Sequence, residues 1–135
     1  MDGNVTASEN AIVEITGGEG EYGGHGIIQN YTLTISGNAS VNVKGGNATK
    51  TNYNAGYAID QVDYNGGSFT ATGGVNSSDP SKNGKAIITS ITNNSGSSVD
   101  FEYSTDGTTW TTKQMTGVGP WNDTNVNSRF VRTKP

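Results

Sequence analysis

The chain has 135 residues, a net charge of −4, no cysteine, 30% hydrophobic and 15% charged residues, and 20 glycines. This excludes disulfides and thiolate metal sites, and the acidic balance argues against a nucleic-acid partner, which needs a basic footprint. No apolar run approaches the roughly 20 residues of a membrane helix, so membrane insertion is not expected.

Repeats in the sequence decide the architecture. "NAIVEITGG" at 10–18 returns as "NASVNVKGG" at 38–46 and as "GGSFTATGG" at 66–74, at steps of 28 residues. Val13, Val41 and Phe69 form one apolar column, and Ile15, Val43 and Ala71 a second. Polar residues alternate with them, the period-two signature of a half-buried strand. Each copy ends in a glycine pair, suited to the positive φ of a sharp corner.

After the first glycine pair comes the short loop "EGEYG" at 19–23 and then "GHGI" at 24–27. The second unit has "NATKTNYNA" at 47–55 before "GYAI" at 56–59, and the third has "VNSSDPSKN" at 75–83 before "GKAI" at 84–87. Ile27, Ile59 and Ile87 give a further apolar column, beside small residues at Gly26, Ala58 and Ala86. "QNYTLTISG", from Gln29, reads as a long arm of one coil with Leu33 and Ile35 turned inward. No unit can bury its apolar face alone, so the units must stack. The expected fold is all-β: a short right-handed parallel β-helix, or β-solenoid, of about three coils. A β-sandwich competes, but the equal spacing at two places per unit favours the solenoid.

A weaker fourth strand follows Gly96, with Val99 and Phe101 placed to continue the columns of Phe69 and Ala71. "VDFEYSTDGTTWTTKQ" reads as a hairpin, with strands near 99–104 and 108–114 about a type I′ turn at Asp106-Gly107. "STDGTTW" is also one residue short of the Asp-box hairpin of sialidases. "NSRFVRTKP" supplies a last strand, and Trp110, Trp121 and Phe130 bring aromatic mass. The domain reading is repeats over 1–98 and a hairpin-and-strand cap over 99–135 within one structural domain, because an open solenoid end exposes unpaired edges.

Catalysis has little to stand on. His25 is the only histidine and no Gly-x-Ser-x-Gly elbow accompanies it. The lysines are isolated, and Asp60 and Asp63 suit turn capping. The chain is therefore read as a non-enzyme. Binding has one specific carrier: His25, Tyr57 and Lys85 occupy equivalent positions and should stack outward as a row. Rings can cover sugar faces, and the amine can meet a carboxylate. Tyr22 and Tyr53 extend the platform from the adjacent loops. Glu19, Glu21 and Asp79 share one loop corner, and Asp60 and Asp63 another. Either group offers oxygens of the kind calcium takes, and solvated acids explain them equally well.

With "GHGI…LTISGNASVNVKGG" and "GYAI…NGGSFTATGG" in view, residues 10–91 resemble a family of secreted bacterial right-handed parallel β-helix proteins. Its units read G-x-G/A-I, L-T-I-S-G and V-T-A-T-G-G. The resemblance implies a pectin-lyase-like fold, binding of acidic polysaccharide, and calcium as cofactor. "YSTDGTTWT…FVRTK" is similar to the closing strands of fibronectin-III-like surface modules. The expected function is a non-catalytic, extracellular or cell-surface module of a larger bacterial protein, with a polysaccharide or cell-surface ligand. The alternative is a structural spacer or adhesin module without a small ligand, to which the outward column Thr16, Lys44, Thr72 points.

Overall fold

A computed structural model of the chain describes residues 3–27 and 31–135. The fold is a β-solenoid of about three turns of roughly 28 residues. One sheet is parallel throughout, in the order β1 (Val5–Ala7), β3 (Thr32–Ile35), β5 (Ile59–Tyr64), β7 (Ile87–Asn93). The second begins with β2 (Ile12–Thr16), β4 (Ser40–Lys44) and β6 (Ser68–Thr72), also parallel.

The repeat columns are the rungs. Val13 pairs with Val41 and Val41 with Phe69, while Ile15, Val43 and Ala71 pair in the same way. Their side chains meet those of Leu33, Ile35, Val62, Ile87 and Ile91 in one core shared by both sheets. "TLTI" is thus no arm. It is the regular rung of the first sheet, with Leu33 between Val5 and Val62. Gln29 and Asn30 of that stretch lie outside the described residues.

The glycine pairs do not serve by positive φ, which among the described glycines occurs at other positions, such as Gly37 and Gly107. Their necessity is contact. Gly84 N–H donates to Gly74 O, Gly74 to Gly56, Gly56 to Gly46, Gly46 to Gly24 and Gly24 to Gly18, at 2.7–2.9 Å. This zigzag seam joins the end of each second-sheet strand to the start of each G-x-G/A-I motif, so every loop is pinched at its base. A Cβ on Gly46 would lie 2.0 Å from Gly18 O, and one on Gly74 2.1 Å from Gly46 O.

The C-terminal part closes the solenoid differently from the expected fourth rung. β8 (Val99–Ser104) does not pair with β6. The last strand, β10 (Phe130–Thr133), inserts between them, antiparallel to both, and β9 (Thr111–Met115) forms the far edge. Phe101 nevertheless reaches the core. Thr133 is the residue opposite it, and over this short side chain the Phe101 and Phe69 rings approach to 5.9 Å.

The turn between β8 and β9 is longer than a type I′ pair, because Tyr103 pairs with Thr111. The Asp106 carboxylate organises it, accepting from the backbone N–H groups of Thr108 and Thr109 at 2.8 Å and from Ser104 Oγ at 3.0 Å. These bonds hold its pKa well below the usual carboxylate range. Of the three aromatics expected in the cap, only Trp121 is buried in the core. Trp110 and Phe130 meet each other, with the Arg132 guanidinium 3.7 Å from the Trp110 ring and Arg129 4.4 Å from Phe130.

Candidate functional site

The seam sets up the site. His25, Tyr57 and Lys85 each follow a seam glycine and precede a buried small residue, Gly26, Ala58 or Ala86. Gly26 N–H donates to Tyr57 O and Ala58 N–H to Lys85 O, both at 3.0 Å, which fixes the three residues on successive rungs. A side chain at Gly26 would strike Val43 and the Ala58 carbonyl. The small column therefore faces in, and its neighbours face out.

The expected row forms. The His25 and Tyr57 rings stack with centroids 3.7 Å apart and planes 19° off parallel. Tyr57 N–H also donates to His25 Nδ1 at 3.2 Å. That nitrogen must carry a lone pair, so the ring is neutral with its proton on Nε2. Burial pushes its pKa below the ordinary histidine value. His25, Tyr57 and Lys85 together line a surface cavity of about 440 Å³, joined by Asn54, Asn83 and Ile88. The two amides are members that sequence reasoning missed. Each sits in a protruding loop next to the seam, and only the closure of those loops brings them to the row. Asn83 is held in place by accepting from Asn76 N–H at 2.8 Å.

Tyr22 and Tyr53 meet edge to face with centroids 4.3 Å apart, and Lys50 Nζ lies 5.1 Å from the Tyr53 ring. They form a separate aromatic pair on the loops and do not line the cavity. Tyr22 remains 60% exposed, so this pair is open to a ligand.

The acids are not gathered as the sequence suggested. Glu19 accepts from Asn47, and Asp79 caps the 3-10 turn Pro80–Lys82 by accepting from Ser81. Glu21 is exposed beside Tyr22. Asp60 and Asp63 lie on one strand rather than on a corner. Asp60 is 1% exposed and accepts from Thr89 Oγ1, while Asp63 accepts from Asn65 and Asn94. Among the described residues no group of three or more His, Asp or Glu is placed to hold a metal ion. Each of Glu19, Asp60, Asp63 and Asp79 is instead engaged locally by an amide or hydroxyl.

No protein-family model, no curated protein and no solved structure matches the chain. Among the described residues no helix is long and apolar enough to cross a membrane.

Proposed function

We propose that the chain is a non-catalytic carbohydrate-binding module of a larger extracellular or cell-surface bacterial protein. One observation carries this reading: His25, Tyr57 and Lys85, from three successive coils, converge on one cavity that also holds two amides. A stacked ring pair offers a flat face for the C–H side of a pyranose. Amides satisfy hydroxyls in both directions, and the Lys85 ammonium suits a uronate carboxylate. Among the described residues no carboxylate lines the cavity, so none of them supplies the acid pair of a glycosidase. The likeness of the repeats to polysaccharide-binding β-helices supports the same reading.

The test is retention on a polysaccharide array that includes polygalacturonate, with and without calcium. Retention on one glycan is expected. Tyr57→Ala should leave the melting temperature within a few degrees of the parent and abolish that retention. Loss of retention with chelator would bring in calcium. Silence across the array would favour the second reading, a spacer or adhesin module, which the tightly pinned glycine seam supports.

A further inference from the structure

We infer that His25 is the positioning residue of this cavity: its uncharged ring holds Tyr57 in the binding geometry, and protonation releases it. This rests on the carbohydrate reading for its ligand, but its first observable does not. The ring is tied to Tyr57 twice, by the 3.7 Å stack and by the bond that Tyr57 N–H donates to Nδ1. An imidazolium carries a proton on Nδ1 and cannot accept that bond. Two N–H donors would then face each other across 3.2 Å, and because backbone bonds hold Tyr57 on its rung, the His25 ring would turn away and the stack would open.

Among the described residues the charges of the cavity, of the β4 corner and of the loop before His25 favour no second cation, and beyond burial the chain's N-terminal amine adds a further positive charge that lowers the His25 pKa. Among the described residues that line the cavity, the titratable neighbours are the Tyr57 phenol and Lys85, whose ammonium opposes a second cation. At the β4 corner, whose carbonyl lies near Gly26, the charged residue is Lys44. In the loop before His25, Glu19 is bonded to Asn47 and Glu21 sits beside Tyr22. Attraction between an imidazolium and a tyrosine face works the other way. It restores no acceptor for the Tyr57 N–H. Burial already lowers the His25 pKa, so the neutral form persists into mildly acidic solution.

The affinity of a site open only in the neutral form scales with the neutral fraction. It should be flat above the His25 midpoint and fall about tenfold per pH unit below it. The test is a pH titration of the whole chain from 8 to 4.5 by NMR, alongside calorimetry with polygalacturonate as the probe. His25 should titrate below the ordinary value of about 6.5, and the Tyr57 amide should shift with the same midpoint. His25→Asn removes the stacked ring and should weaken binding, but it puts an amide oxygen near the place of Nδ1, so the affinity that remains should not fall with acid. A Tyr57 amide that ignores the His25 titration would overturn the inference, whether or not the variant folds. So would an unchanged acid loss of affinity in a folded His25→Asn protein. If the Tyr57 amide follows His25 but polygalacturonate binds at no pH, the positioning role stands and uronate recognition fails.

Discussion

At Gly46 a single hydrogen where other residues carry a methyl group decides whether two coils can touch. Its N–H reaches Gly24 O at 2.7 Å, and a Cβ there would lie 2.0 Å from Gly18 O. The atoms that such a Cβ would meet, in Gly17 and Gly18, are all backbone, which cannot rotate away. Gly46→Ala should therefore cost more than about 3 kcal/mol or prevent folding. Gly18 holds the same repeat position in the first coil, yet an added Cβ meets nothing within 4 Å. Gly18→Ala should stay within about 0.5 kcal/mol of the parent. Urea denaturation of the two variants checks the contrast. That glycine is needed at these corners was legible from the sequence. The reason was not, because positive φ and close approach select the same residue, and only the neighbouring coil distinguishes them. His25 and Tyr57 were legible as a pair for a related reason: equivalent repeat positions must lie on adjacent rungs. The Asn54 and Asn83 contribution was not, since loop closure has no repeat to follow.

At the scale of elements, the strand order of the closing segment depends on which free edge each piece finds. β10 takes the edge of β6, and the segment before it takes the edge of β7. Ile91 and Trp121 exchange both backbone bonds, at 3.1 and 2.8 Å. The Asn127 side-chain amide donates to the carbonyls of Ile87 and Ile88 at 2.7 and 2.8 Å, ending the ladder of the parallel sheet. Asn127→Ala leaves both carbonyls without that donor and should cost about 1–3 kcal/mol. A lower melting temperature with unchanged near-ultraviolet circular dichroism below the transition is the expected result. The sequence reading expected strands in this region but placed Val99 and Phe101 on the fourth rung, because their alternation fits the columns. Alternation identifies a face. It carries no information about which of two strands with the same pattern reaches the edge first, or in which direction.

At the scale of the whole molecule, the two ends are treated unequally. The far edge strand β9 turns Lys113 inward, opposite the buried Phe101, a charge placed where a further strand would have to cover it. The first coil has no such device among the described residues. Val13 and Ile15 are half-buried where Val41 and Val43 are buried, and Ile12 is 83% exposed on the edge strand β2. Such an edge can pair with another chain. Ile12→Lys should change stability by less than about 0.5 kcal/mol and reduce concentration-dependent association in analytical ultracentrifugation. Equal sedimentation of parent and variant at every concentration would show that this edge is not the route of association.

The amino-acid sequence by itself determined the coil. A 28-residue period with apolar residues at fixed places leaves stacked parallel rungs as the arrangement that buries every column, and it puts His25, Tyr57 and Lys85 in one outward row. These are consequences of local periodicity, which survives in a one-dimensional reading. The tertiary structure decided the glycine seam, the insertion of β10, the separate bonding of the acids, and the cavity that Asn54 and Asn83 complete. All four depend on which groups meet after the chain has passed round the solenoid, and non-repeating segments choose those partners by the edges and unpaired backbone groups left to them.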